Sequence, residues 1–380
     1  MTALTPKTEA DLAEIVASAN APMRITGGGT RPIGKPCDGP VLSTSALSGI
    51  ELYEPGALTL VARTGTPVSE VEKTLAKEGQ RLAFEPMDHR GLLGTTGEPT
   101  IGGVFAANVS GPRRIQTGAA RDFLLGVRFV DGTGQVLRNG GRVMKNVTGY
   151  DLVKLMAGSY GTLGVMTEVA LKVLPKSRHT GMLALTGLSD TDAVRALSRA
   201  LASPYEVTGG AHLQNGPDGA PLTVIRIEGF ENSIAYRADE LQKLLGAFGT
   251  ATFETDADRT TQRWREIRDV AMFHDAPGDV WRISVKPSDA PGLVAQVPGA
   301  EALYDWGGGL IWLRVPEGTQ ADTIRNAMQA TPGHATLIRG AAGAGAFQPL
   351  SPAIGALHDG LRAKFDPKGL FNPGLMDRAA

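Results

Sequence analysis

Apolar residues recur at helical spacing from the start of the chain: Leu12, Ile15, Val16 and Ala19 follow Thr8, whose hydroxyl suits a helix N-cap. Beyond Pro22, Met23-Arg24-Ile25-Thr26 reads as a short strand running straight into Gly27-Gly28-Gly29-Thr30. Residues 58–62 read as another strand. The helix after it is expected to have Thr66 at its cap, Pro67 at its first position, apolar Val68, Val71 and Leu75, and Gly79 past its end. Residues 123–130 form a buried strand in this reading, and Asp131-Gly132-Thr133-Gly134 turns it back as a hairpin. Tyr150-Asp151 opens a short helix with Leu152, Leu155 and Met156 on one face, and Gly158 ends it. Residues 165–173 alternate as a strand and Pro175 closes the segment.

The pattern changes after Lys176. Strand-like runs at 181–185, 222–228, 280–285 and 310–315 are separated by helical stretches at 191–201, 234–245 and 321–330. Short strands between amphipathic helices predict a separate domain with an antiparallel sheet. The expected organisation is a first domain over 1–176 that strand–helix alternation reads as α/β or α+β, a second, α+β domain over 177–340, and a linker with a C-terminal segment over 341–380. The last part begins with a glycine–alanine linker at 340–346 and continues through a helix over 353–365 to Phe371-Asn372-Pro373-Gly374. A chain of 380 residues is long enough for about two or three such domains.

Charge narrows the partners. Lys and Arg number 38 against 39 for Asp and Glu, so no basic field is available to hold nucleic acid or an anionic membrane. Cys37 is the only cysteine, which excludes internal disulfides and any iron–sulfur site built from this chain's own thiolates. The start lacks the charged and apolar regions of a signal peptide, and no apolar run approaches the ~20 residues of a membrane span. A soluble cytoplasmic protein is the expectation.

The 49 glycines have no repeat period and concentrate in short loops, above all over 99–173. Glycine at so many positions lets backbone N–H groups come close to a large phosphate-bearing ligand. A dinucleotide fingerprint needs G-x-G-x-x-G, yet Gly27-x-Gly29 continues to Pro32 and Gly132-x-Gly134 to Leu137. A P-loop fits the spacing from Gly29 to Gly34-Lys35, but Pro36 stands where the metal-binding hydroxyl belongs and no helix follows. The third mechanism is a nest of successive N–H groups at Gly27-Gly28-Gly29-Thr30. Alone, that loop is equally an ordinary glycine-rich turn; the second block at 100–121 adds the weight.

Taken in order, several motifs carry a resemblance. They are the Gly27–Thr30 loop, Thr100-Ile101-Gly102-Gly103 with Ala106-Ala107, Lys145-Asn146-Val147-x-Gly149-Tyr150-Asp151-Leu152, Gly158-Ser159-x-Gly161-Thr162-Leu163-Gly164-Val165, and Phe371-Asn372-Pro373-Gly374. Together they resemble the FAD-binding domain of the vanillyl-alcohol oxidase/p-cresol methylhydroxylase type. The likeness covers essentially the whole chain and is strongest to the flavoproteins of bacterial glycolate oxidase, the smaller E subunit more than the D subunit. Supporting motifs are Gly111-Pro112-Arg113-Arg114, Trp281-Arg282-Ile283-Ser284, Asp305-Trp306-Gly307-Gly308 and Gly333-His334-Ala335-Thr336.

The resemblance implies an α+β fold: a two-lobed FAD domain, an α+β cap with an antiparallel sheet, and a C-terminal segment over 341–380 that packs back on the FAD domain. Gly27 to Thr30 and Gly102-Gly103 would give backbone donors to the pyrophosphate, and Thr26, Gly34, Thr100, Ile101 and Ala106 belong to the same implied cofactor site. Gly158, Ser159, Gly161, Thr162, Gly164 and Val165 would lie along the ribityl chain and flavin. Asn372 would approach the ring edge. Gly111, Arg113, Arg114, Gly118 and Asp122 complete the implied site, with Arg113, Arg114 and Arg121 as candidate charge partners; pairing with carboxylates such as Asp122, or plain solvation, is the alternative for each arginine.

Two departures matter. Covalent members join the flavin to a histidine in the first loop or a cysteine in the second. Here Thr30 follows the glycines and 100–121 holds no cysteine, so FAD is expected to be non-covalent. The related 2-hydroxy-acid dehydrogenases use histidines in G-D-G-N-x-H and E-H-G signatures, which are absent. His179, His212, His274, His334 and His358 have no metal-ligand spacing, and no metal is expected. His334 is the histidine to test first, and His89 is expected to have no chemical role. The implied function is an FAD subunit of a glycolate-oxidising complex, working with a D-type FAD subunit and an iron–sulfur subunit that passes electrons to quinone. A self-contained 2-hydroxy-acid dehydrogenase and a non-catalytic structural subunit remain open beside it.

Overall fold

A computed structural model describes residues 3–35, 37–142, 149–341 and 345–376. The motif residues 143–148 and part of the expected linker, 342–344, lie outside the described residues. Two compact units emerge. One takes Met1–Ser110, Gly118–Lys176 and Pro349–Ala380; the other takes Gly111–Thr117 and Ser177–Gln348.

The first unit starts as the pattern predicts. The Thr8 hydroxyl accepts the Asp11 N–H at 3.1 Å, and the Asp11 carboxylate accepts the Thr8 N–H at 2.9 Å, closing a reciprocal cap on the helix Glu9–Ser18. Leu12 and Val16, one turn apart, are fully buried with Met23, Leu42, Val130, Val165 and Phe371. Each such side chain stabilises the fold by about 1.5–3 kcal/mol.

The strands of this unit are β1 (Arg24–Thr26), β2 (Val41–Ser43), β3 (Ile50–Glu54), β4 (Thr59–Arg63), β5 (Gln80–Arg81), β6 (Leu124–Val130), β7 (Val136–Gly140), β8 (Val165–Lys172) and β9 (Leu174–Pro175). β1 and β2 are a parallel pair, and β5 pairs with β9. The other five form an antiparallel sheet in the order β3-β4-β8-β6-β7. The β6–β7 hairpin has its expected turn, held by Asp131 Oδ1, which accepts the N–H groups of Thr133 and Gln135 at 2.9 and 3.0 Å.

Two local expectations change. Thr66 does not cap the helix Val68–Ala76: Pro67 occupies that position, and the Thr66 hydroxyl donates to the Arg63 carbonyl at 2.7 Å and accepts the Gly49 N–H at 2.9 Å. The glycine block at Thr100 is a helix start rather than an open loop. Thr100 caps the helix Ile101–Ala106 by accepting the Gly103 N–H at 3.2 Å.

The second unit is built on β10 (His179–Thr186), β11 (Val207–Leu213), β12 (Leu222–Gly229), β13 (Thr252–Glu254), β14 (Asp279–Val285), β15 (Glu301–Asp305), β16 (Leu310–Val315) and β17 (Gly333–Arg339). They form one antiparallel sheet in the order β13-β10-β12-β11-β15-β16-β14-β17. The helices Asp190–Leu201 and Glu231–Leu245 bury Leu197, Ile234 and Leu241 against Ile225 and Ile227.

Gly111–Thr117 departs from the expected uninterrupted run over 1–176, and the contacts say why. Trp306 Nε1 donates to the Gly111 carbonyl at 3.0 Å, and the Arg113 guanidinium makes two parallel bonds to Glu228 at 2.8 and 2.9 Å. Both partners of that ion pair are almost fully buried, so the segment is anchored by charge as well as by shape.

Candidate functional site

The site builds outward from the end of β1. The chain leaves Thr26 into Gly27–Arg31, and a cleft of about 410 Å³ opens beside it, entirely within the first unit. Gly28 lies so close to the neighbouring chain that a Cβ there would sit 1.5 Å from the Glu98 carbonyl oxygen. Gly29 has φ +71°, and nothing lies within 4 Å of where its Cβ would point. One glycine is required by packing and the next by backbone conformation.

The consequence is electrostatic. None of the N–H groups of Gly27, Gly28, Gly29, Thr30 and Arg31 meets an acceptor among the described residues. Successive unpartnered N–H groups at a left-handed kink form a nest for an anion. Among the described lining residues there is no Asp, Glu or Lys; the permanent charges are Arg24 and Arg31. The donor set therefore suits a diphosphate.

The second block contributes differently from expectation. The N–H of Gly102 donates to the Thr64 carbonyl at 2.9 Å, that of Ile101 to Thr66 at 2.9 Å, and that of Gly103 to Thr100 Oγ1 at 3.2 Å. These N–H groups are engaged by the chain itself, so the expectation that Gly102 and Gly103 donate to a pyrophosphate is corrected. Their contribution is a wall: Thr100, Gly102, Gly103 and Ala106 line the cleft, while Ile101 is buried behind it.

The wall continues in the turn after the helix Leu152–Met156, where the Tyr160 N–H donates to the Ala106 carbonyl at 2.8 Å. Gly161, Gly164 and Val165 line the cleft with Tyr160. Gly158, Ser159 and Thr162 do not; they shape the turn. The Gly158 N–H donates to Phe105 O at 3.0 Å, Ser159 Oγ to Met156 O at 2.9 Å, and Thr162 Oγ1 to Ser159 O at 2.7 Å. Asn372 lines the cleft with both ends of its amide engaged, accepting from Ile25 N–H at 2.8 Å and donating to Tyr160 O at 2.9 Å. It clamps Ile25 to Tyr160 in the wall of the cleft.

The remaining implied residues separate. Thr26 and Gly34 line the cleft. Gly118 and Asp122 do not. Asp122 accepts the Ala119 N–H at 2.9 Å at the start of the helix Ala120–Phe123 and has Arg121 and Lys154 at 3.8 Å. Gly111, Arg113 and Arg114 group with the second unit, where Arg113 pairs with Glu228 and Arg114 lies 4.2 Å from the centre of the Trp306 ring. Arg113 is thus corrected from a cofactor charge partner to half of a buried ion pair.

Sequence reasoning missed Arg31, Cys37 and His89 in the lining. Arg31 was visible as the cation next to the glycine run. His89, given no role from its loop position, is nearly fully buried in the wall. Burial is the first cause that pushes the Cys37 thiol above its ordinary pKa.

In the second unit, His334 on β17 stands opposite Ser284 on β14, next to the Arg282–Thr336 pair on the same face of the sheet. Arg282 lies 5.2 Å from the centre of the Trp306 ring. Desolvation first, then Arg282 and Arg114, holds His334 below the usual imidazole pKa.

Comparison with known proteins agrees with this geometry. The profile of the FAD binding domain family matches residues 2–140. The chain is 38% identical over 361 residues to glycolate oxidase subunit GlcE of Escherichia coli, spanning 94% of this chain and 93% of that protein. It belongs to the GlcE family of FAD-linked oxidoreductases. Glycolate oxidase subunit GlcD of Bacillus subtilis is 32% identical over 165 residues, 43% of this chain and 34% of that protein. Alkyldihydroxyacetonephosphate synthase superposes with a TM-score of 0.72 over 97% of this GlcE-family chain and 76% of its own, at 18% identity, a likeness of fold. Among the described residues no helix is long and apolar enough to cross a membrane.

Proposed function

We propose that this chain is the FAD-carrying E-type subunit of a complex that oxidises glycolate to glyoxylate. The observation that carries the reading is the identity to GlcE along nearly the whole of both chains. The run of unpartnered N–H groups at Gly27–Arg31 supports it, because FAD brings a diphosphate.

In this reading Gly27 to Arg31 hold the diphosphate, and the wall of Tyr160, Gly161, Gly164 and Val165 lies along the flavin. Asn372 fixes β1 to that wall, so the cleft keeps its width. The apolar side chains of Val104, Val165 and Met166 keep water from the ligand. FAD, when bound, supplies two-electron chemistry. Because Cys37 is the sole cysteine, this chain builds no iron–sulfur cluster from its own thiolates, so an iron–sulfur partner is the exit toward quinone, and a D-type flavoprotein takes the hydride from glycolate.

A second reading rests on His334. An imidazole kept neutral beside Arg282 and Arg114 has the chemistry to hold and deprotonate a small hydroxy acid on this chain itself. One experiment separates the two. The chain is purified alone, its visible spectrum recorded, and glycolate added. Yellow protein that bleaches only with the D-type and iron–sulfur partners present supports the complex; bleaching of the isolated chain supports the self-contained dehydrogenase. Colourless protein that still assembles the complex reduces the chain to a structural subunit.

A further inference from the structure

We propose that Arg31 is the fixed positive charge that pairs with the FAD diphosphate and sets the preference of this cleft for FAD over phosphate-free flavin. The proposal rests on the reading of Gly27–Arg31 as the diphosphate loop and deepens it with a residue that the sequence motifs passed over.

Four observations carry it. Arg31 ends the run of unpartnered N–H groups, so its side chain starts where an anion held by that run would sit. Its guanidinium turns to the neighbouring Thr100–Gly103 block, where Nη2 donates to the Gly103 carbonyl at 2.5 Å. That is the one hydrogen bond of this guanidinium among the described residues, although the group carries five N–H donors in a rigid fork suited to phosphate oxygens. Among the described lining residues there is no carboxylate, and burial pulls the Arg31 pKa below its ordinary value. A partly desolvated cation without an acidic partner is unfavourable unless an anion joins it.

The alternative cations are weaker. Arg113 is committed to Glu228. Arg121 faces Asp122 at 3.8 Å and is more than half exposed. Arg24 also lines the cleft, but it is exposed, and its charge is screened by water.

The test uses the full chain depleted of flavin, titrated with FAD and separately with riboflavin, reading flavin fluorescence. Arg31→Gln is expected to weaken FAD about 30- to 100-fold, the loss of a charge-assisted bond to a desolvated anion, while riboflavin changes less than about twofold. Arg31→Lys keeps the charge without the fork and is expected to lose about 3- to 10-fold for FAD alone; it carries the test if Arg31→Gln fails to fold. Unchanged FAD affinity in Arg31→Gln overturns the proposal. Equal loss of FAD and riboflavin also overturns it, because Arg31 would then only brace its loop through Gly103. If the unmodified chain binds riboflavin as tightly as FAD, the diphosphate reading of the loop itself falls, whatever Arg31 does.

Discussion

The side-chain oxygen of Asn372 accepts the backbone N–H of Ile25 at 2.8 Å, joining two residues 347 positions apart in the chain. The same amide donates to Tyr160 O at 2.9 Å, and the residue is nearly fully buried. Asn372→Ala removes both bonds and leaves the Ile25 N–H without its partner, an expected loss of about 1–3 kcal/mol. Asn372→Asp is expected to lose more at neutral pH, because a carboxylate would face the Tyr160 carbonyl. Denaturant midpoints of the two variants check the order, and FAD affinity should fall with stability in both. An aspartate variant as stable as the parent would sink the clamp.

Gly28 and Gly29 are neighbours with different demands. Alanine at 28 would put its Cβ 1.5 Å from the Glu98 carbonyl, and backbone there must move. Alanine at 29 meets no atom within 4 Å but inherits φ +71°, a penalty of about 1–2 kcal/mol. Gly28→Ala should therefore abolish FAD binding and lower the melting temperature sharply. Gly29→Ala should fold with a modest loss. Calorimetry of the pair, with FAD titrations, decides; equal effects would mean that the loop is not held against Glu98.

The helices and strands with a clear period were legible from residues alone. Thr8 as an N-cap, the Asp131–Gly134 turn, and the strand Leu310–Val315 all follow from local chemistry. β11 was not, because all seven of its residues are buried and a strand covered on both faces has no alternation to read. At the site, the glycine run announced itself, but the partners of each N–H did not. Gly27 and Gly102 look alike in sequence, yet one N–H is without an acceptor among the described residues and the other is bonded to Thr64. That difference depends on which strand lies alongside, a long-range fact. Arg113 was misread for the same reason: Glu228, 115 positions away, is its partner.

Because Arg113 and Glu228 are both buried, removing one leaves the other charged and without its principal partner. Arg113→Ala is expected to destabilise by about 3–5 kcal/mol. The double variant Arg113→Met with Glu228→Gln should recover part of this, and a double-mutant cycle in urea measures the coupling. A single variant with a loss below about 1 kcal/mol would contradict the pairing.

Acid should act on the second unit through Asp190. Burial alone would raise its pKa, but hydrogen bonds with His212, Tyr304 and Gln214 outweigh that and hold it below the usual aspartate range. Tyr304 Oη donates to Oδ2 at 2.7 Å and Gln214 Nε2 at 2.6 Å; His212 Nε2 lies 3.2 Å from Oδ1. A depressed carboxylate pKa contributes stability that is present above the unfolded value and lost as pH falls through it toward the folded value. Chemical denaturation at several pH values below about 5 should show a limb that Asp190→Asn lacks. An identical limb in both proteins would assign the acid sensitivity elsewhere.

FAD should leave the unfolded chain intact. Thr30 stands after the glycines, so the first loop offers no histidine, but Cys37 and His89 do line the cleft and make the question real. A flavin–cysteine bond needs a thiolate, and burial pushes the Cys37 thiol up, leaving it mostly protonated at neutral pH. Denaturation followed by filtration should put all the yellow colour in the filtrate, and the retained chain should have the mass of its sequence alone. A retained adduct of flavin mass, mapped by peptide sequencing to Cys37 or His89, would reverse the expectation and identify the anchoring side chain.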